Sequence, residues 1–260
     1  MIDIGINFTD KAFDNDLEQS LEEALEAGVS AMVVTGTSQS SSEAALQLTS
    51  KYADWLYCTA GVHPHHAKDW NKSSYSFFHD LATQPKVVAI GETGLDFNRD
   101  FSPRPMQESA FEQHLELAAE LRKPLFLHER DAFERQHSIL KHHRDHYTNG
   151  VIHCFTGDKK SLFAYLDLDL YIGITGWICD ERRGLGLQRL VKEIPANRIM
   201  IETDGPYLLP RDLPEKPKSR RNEPKYLPHI AAKIAALRNE PFDTFCKTTT
   251  ENTTQFFGLK

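Results

Sequence analysis

Histidines and carboxylates recur in this chain at the ends of short apolar runs. Glu92 follows "KVVAI" and stands between two glycines in "GETGLDF". His128 closes "PLFLH", His153 follows "GVI", Asp204 follows "RIMIET", and "GVHPHH" brings His63, His65 and His66. A carboxylate next to a buried run is costly unless something pairs with it. Imidazole nitrogens and carboxylate oxygens, with no cysteine among them, are the donor set of a divalent cation. Singly, each residue has a plainer reading. A strand histidine can be a hydrogen-bonded core residue, Glu92 the partner of an arginine, and "GVHPHH" a turn stiffened by Pro64. Together they point to a metal site, provided the strands that carry them end on one side.

The order of elements supplies that condition. Apolar, β-branched runs fall at 2–7, 31–36, 56–61, 87–92, 124–129, 150–155, 170–175 and 198–203. Longer stretches with helical spacing lie between them: Leu17, Leu21, Ala24 and Leu25 repeat on one face, with Gly28 placed to stop that helix. The segment 106–123 is a second clear helix, ended by the proline that opens the fifth strand. Strand–helix alternation predicts a parallel sheet, and eight repeats predict a closed (β/α)8 TIM barrel, with a doubly wound open sheet as the alternative. In such a barrel the chemistry sits at the carboxyl ends of the strands, where these groups fall.

The 260 residues suit a single domain spanning 1–260, and 40% apolar content supports a sizeable core. No apolar run approaches the roughly 20 residues that span a bilayer, and the N-terminus carries no export signature. Cys58, Cys154, Cys179 and Cys246 lie far apart with no CxxC pair, the pattern of reduced thiols in a cytoplasmic protein. A net charge of −7 argues against a broad basic coat for nucleic acid, but leaves room for a local basic mouth or for cations. The helices show no heptad seam, which predicts a monomer.

Other polar clusters divide less clearly. The histidines of "KHHRDH" (141–146) read as solvated helix-end residues, and His79, His114, His137 and His229 as helix-surface residues. "DERRG" (180–184) is either an anion site or a salt-bridged helix start. The loop "EKPKSRRNEPK" carries Lys216, Lys218, Arg220, Arg221 and Lys225 beside the last strand end; Arg220 and Arg221 are expected to bind substrate phosphates. Phe97, Trp177 and Tyr207 stand where a terminal base could stack, or where they could cap the barrel.

With "GETGLDF", "FLHERDA", "IHCFTG" and "ETDGPYLLPRD" in place, the chain resembles the TatD family of metal-dependent deoxyribonucleases, from residue 1 to the C-terminal "FFG". "GVHPH", "YIGITGW" and "RRNEP" sharpen the likeness. The resemblance implies a TIM barrel of the metal-dependent hydrolase type, a divalent-metal phosphodiesterase, and 3′-to-5′ trimming of single-stranded DNA. RNA is a second substrate candidate, and DNA repair the implied setting. It carries Glu92, His128 and His153 over as metal ligands and Asp204 as the carboxylate that binds metal or activates water. It marks His63, His65 and Glu202 as residues behind the ligands or touching substrate. Most members open with an Asp-x-His-x-His pattern whose histidines bind metal. Here "DIGIN" puts Gly5 and Asn7 in those places, leaving a set richer in oxygen that favours exchangeable Mg²⁺, or Mn²⁺, over tightly held Zn²⁺, with one ion or two.

The expected chemistry follows. A cation on Glu92, His128 and His153 polarises water and phosphate, Asp204 takes the proton of the attacking water, and His63 donates to the leaving group or holds the phosphate. A metal-dependent hydrolase of a small amide, ester or lactone is the alternative, since barrels of this shape host many reactions.

Overall fold

In the computed structural model, which describes residues 1–259, all eight expected strands form. They are β1 (Ile2–Ile6), β2 (Ala31–Val34), β3 (Leu56–Ala60), β4 (Val87–Asp96), β5 (Leu125–Arg130), β6 (Gly150–Ile152), β7 (Tyr171–Ile174) and β8 (Ile199–Ile201). Neighbours pair in parallel in chain order. The sheet returns on itself where the Asp204 N–H donates to Gly5 O and the Asn7 N–H to Gly205 O, each at 2.8 Å. Fully buried Asp3 pins this seam by accepting from the Thr203 N–H at 3.0 Å and from its hydroxyl. The barrel is the (β/α)8 architecture read from the alternation of elements.

The helices are α1 (Leu17–Glu26), α2 (Gln39–Lys51), α3 (Ser74–Ala82), α4 (Arg104–Leu121), α5 (Phe133–His142), α6 (Lys159–Asp167), α7 (Leu185–Leu190), α8 (Leu227–Arg238) and α9 (Phe242–Phe257). Their apolar stripes cover the outer faces of the strands, so the strands are buried on both sides. Local chemistry sets the helix ends. Ser38 accepts from the Ser41 N–H in a capping box that starts α2, and Asp158 accepts from the Ser161 N–H at 2.8 Å to start α6. Among the described residues no helix is long and apolar enough to cross a membrane.

The barrel interior holds an apolar layer of Ile4, Val33, Phe126, Val151 and Met200, joined by Phe256 and Phe257 of α9. The two-residue side-chain period of a strand then carries the chain from Phe126 to His128, from Val151 to His153 and from Met200 to Glu202. Polar groups are therefore stacked directly above an apolar floor; the His153 ring lies on that of Phe126, with centroids 4.7 Å apart.

His114, expected on a helix surface, is instead fully buried in α4. Its Nε2 accepts the Val62 N–H at 3.0 Å and its Nδ1–H donates to Ala110 O at 2.6 Å, which fixes the loop after β3 from behind. Burial lowers its pKa to about 4. Because the unfolded ring titrates near ~6.5, the folded state resists a proton that the unfolded state accepts. Stability from this group is complete above pH ~6.5 and falls as pH drops towards 4, by up to about 3 kcal/mol. Urea unfolding at pH 7 and pH 4 should show a larger loss for the wild type than for His114→Gln, whose amide oxygen can still accept from Val62; equal losses would remove this role.

Candidate metal centre

Glu92 reaches the interior because β4 is irregular there. Gly91 pairs with Phe126 and Thr93 with Leu127, so Glu92 is an extra residue in the ladder. Such a bulge re-aims a side chain. Gly91 is required beside it: at φ +140° its hydrogen faces Phe126 O, which a Cβ would meet at 2.2 Å.

Three imidazoles converge on one oxygen of this carboxylate. Glu92 Oε1 lies 2.8 Å from His153 Nε2, 3.0 Å from His128 Nδ1 and 3.4 Å from His63 Nε2. Ligand atoms of His63, Glu92 and His128 all lie within 4.8 Å of one another, so this group could hold a metal ion. Burial alone would push Glu92 up, but the histidines around it outweigh that and hold it well below the usual carboxylate range. His153 is driven the other way, well above its ordinary value, because Glu92 and Glu202 outweigh its burial.

Asp96, four residues after Glu92, completes the arrangement. Its Oδ2 lies 2.8 Å from His65 Nε2 and 3.3 Å from His128 Nε2, so the His128 ring is held between two carboxylates. Asp204, at the end of β8, lines the cavity and accepts from Asn7 Nδ2–H at 3.1 Å. Burial, together with Glu202 and Glu92, raises its pKa to about 7, against the opposing effects of His153 and Asn7. The cavity has a volume of about 470 Å³ and opens at the strand carboxyl ends, where Thr37, His66 and Tyr207 form part of its wall. Carboxylate oxygens and imidazole nitrogens, without a lysine or arginine in the wall, suit a divalent cation.

His63 differs from the other two imidazoles. Its Nδ1 accepts the His65 N–H at 3.1 Å, and burial keeps the ring neutral by lowering its pKa well below the ordinary value. A neutral ring whose Nδ1 accepts carries its proton on Nε2, so His63 presents a donor to the cavity.

Glu202 is fully buried behind His153, the first of the two places expected for it. Other expected residues are engaged away from the cavity. Arg221 is taken up by Asp16 in a two-pronged bridge of 2.7 Å and 2.7 Å, donates to Ala12 O, and lies over the Phe13 ring. Lys225 is held by Glu23 at 2.6 Å, while Lys216, Lys218 and Arg220 remain exposed. The arginines of "DERRG" bridge to Asp180, the helix-start reading of that segment. Phe97 is covered by Arg104 at 4.3 Å and Trp177 lies between Arg183 and Arg130, whereas Tyr207 is 54% exposed at the cavity mouth. His229, expected on a surface, bonds Asp212 at 2.7 Å and ties α8 to the loop after β8.

Two further residues at the site carry little or no signal in the sequence. Asp96 shares the even spacing of Glu92 in "GETGLDF", a signal that was present but that lay beyond the expected end of the fourth strand. Phe101, 56% exposed and edge-on to His65 at 4.7 Å, carries no sequence signal at all.

Comparison with known proteins gives one consistent result. The family model described as TatD related DNase matches residues 2–258. A curated relative from Rahnella sp. (strain Y9602), a 3′-5′ ssDNA/RNA exonuclease TatD, is 51% identical, with 100% of this chain and 98% of the relative covered. Among solved structures, a TatD homologue from Escherichia coli K12 superposes with a TM-score of 0.91 at 27% identity, covering 100% of this chain and 98% of the other. A TatD-family hydrolase from Entamoeba histolytica gives 0.90 at 27%, covering 99% and 97%.

Proposed function

The chain belongs to the TatD-related DNase family, and from that premise we propose that it is a divalent-metal-dependent 3′-to-5′ exonuclease acting on single-stranded DNA and RNA. The observation that carries the reading is the single Glu92 oxygen approached by three histidine nitrogens within 3.4 Å at the floor of an open cavity. In this reading Glu92, His128 and His153 hold the ion, with Asp204 beside it. When bound, Mg²⁺, or Mn²⁺ in its place, supplies a Lewis acid that polarises the phosphate and acidifies water.

The chain's own residues do the rest. Asp204, whose titration burial brings to about 7, takes a proton from the attacking water as its oxygen bonds to phosphorus and the bond from phosphorus to the leaving ester oxygen breaks, that oxygen taking a proton from solvent. The Asn7 amide keeps its carboxylate oriented. His63 donates its Nε2–H to a phosphate oxygen, and Asp96 fixes both His65 and His128. Exposed Lys216, Lys218 and Arg220 follow the phosphates of the strand outside the cavity. We place the enzyme in the cytoplasm as a monomer of one domain; its four free cysteines support a reducing setting.

The test uses a 5′-labelled single-stranded oligonucleotide. A ladder that shortens stepwise with Mg²⁺ and is abolished by EDTA supports the proposal. Immediate release of the labelled terminal nucleotide would reverse the polarity, and an intact strand with every metal would contradict the activity.

Tyr207 adds a prediction about substrate contact. Its ring is open to solvent and its hydroxyl donates to Asp10 Oδ2 at 3.2 Å, which steadies it at the mouth. Base stacking is worth about 1–3 kcal/mol, so Tyr207→Ala should raise KM for an oligonucleotide roughly tenfold or more, and Tyr207→Phe much less. Hydrolysis of bis(4-nitrophenyl) phosphate, which has no base, should change little. Equal losses on both substrates would deny Tyr207 a stacking role.

A further inference from the structure

Gly5 leaves a space beside β1 that another residue fills. A Cβ on Gly5 would lie 2.4 Å from Glu202 Oε2, and a Cβ on Gly173 would lie 3.0 Å from Glu202 Oε1. The carboxylate that follows β8 therefore rests between two glycines, one from each neighbouring strand, β1 and β7. The β1–β2 pairing shifts by one residue between Asp3 and Ile6, so β1 is bulged beside this cradle.

The two Glu202 oxygens have different surroundings. Oε1 accepts the Cys154 N–H at 2.5 Å, which ties it to the residue after His153. Oε2 has no hydrogen-bond partner, nor has His153 Nδ1, and these two buried atoms face each other at 3.4 Å. Leaving both unpaired is costly, and a proton shared between them would satisfy both. The opposite nitrogen of the same ring, Nε2, lies 2.8 Å from Glu92 Oε1.

We infer that Glu202 is the positioning residue for His153, filling from β8 the volume a side chain at position 5 would take, and that Gly5 and Gly173 are there to admit it. The inference rests on the metal role proposed above for Glu92 and His153. With its Nδ1–H donated to Glu202, the His153 ring is fixed in orientation and tautomer, and its Nε2, which faces Glu92, would be left free to hold a cation. Partners of this kind change metal affinity or activity by roughly 10- to 100-fold.

The test is Mn²⁺ affinity, read from the EPR signal of the free ion, beside kcat, KM and the unfolding midpoint of the full chain. Glu202→Gln keeps the volume and an acceptor for Cys154, and should weaken Mn²⁺ binding roughly 10- to 100-fold. It should lower kcat, leave KM for the oligonucleotide within about twofold, and barely move unfolding. Gly5→Ala should displace the carboxylate and give the same loss, with the double variant no worse than either single one, because both act on one contact. Should Gly5→Ala fail to fold, the isosteric Glu202→Gln decides alone. Wild-type Mn²⁺ affinity in Glu202→Gln overturns the inference while the metal centre stands. A wild-type protein that binds no Mn²⁺ brings down the metal centre itself, and the inference with it.

Discussion

Glu92→Gln is expected to lower kcat on a single-stranded oligonucleotide by roughly 10³-fold or more, equivalent to about 4 kcal/mol of transition-state stabilisation. The substitution keeps shape and removes charge. Glu92 is 5% exposed and is the one group that all three imidazoles approach, so an amide there removes the anion on which cation binding depends. The β4 bulge is set by backbone pairing and by Gly91, neither of which needs the charge, so the fold should persist. Steady-state kinetics with Mg²⁺, beside a thermal unfolding curve, checks both halves. Turnover within tenfold of the wild type in a folded variant would remove Glu92 from the chemistry.

The second large effect belongs to Asp204. Asp204→Asn should cost roughly 10²- to 10⁴-fold in kcat, the range for loss of a positioned base. Its pH dependence gives the sharper test. A base acts only when deprotonated, so wild-type activity should rise with pH through the Asp204 titration and be lost below it. Burial places that titration at about 7 without a cation; a cation beside the carboxylate favours its charged form and moves the midpoint lower. The acid limb should therefore have its midpoint at or below 7, and it should be absent from the residual activity of Asp204→Asn. An unchanged limb in that variant would assign the titration, and the base, to another group.

Much of this arrangement is legible in the sequence. Parallel strands buried on both faces read as apolar runs, and helices that cover them read as amphipathic periods, so all eight strands were found. The strand-end rule of barrels then gathered Glu92, His128, His153 and Asp204 on one side. What could not be read was set by contacts between distant segments. The extra residue that turns Glu92 inward exists only in the register of β4 against β5. His114 looks like a surface histidine until Val62 is seen to donate to it across 52 positions in the chain. Arg221 has the composition of a phosphate binder and is taken by Asp16, 205 positions away. Gly5 looked like the loss of a ligand; in three dimensions it is the room that Glu202 occupies. In each case the residue type announced a capacity, and a partner far along the chain decided its use.

The location of the ion is the most direct measurement. Crystals soaked in Mn²⁺ give an anomalous difference map that shows where the metal binds without reference to activity. A peak bonded to Glu92 together with His128 and His153, at roughly 2.0–2.3 Å, is the expected result. The other grouping of Cys, Asp and His donors among the described residues, Cys179, Asp212 and His229, provides the contrast. A peak there and none at Glu92 would contradict the account of this site as the metal centre.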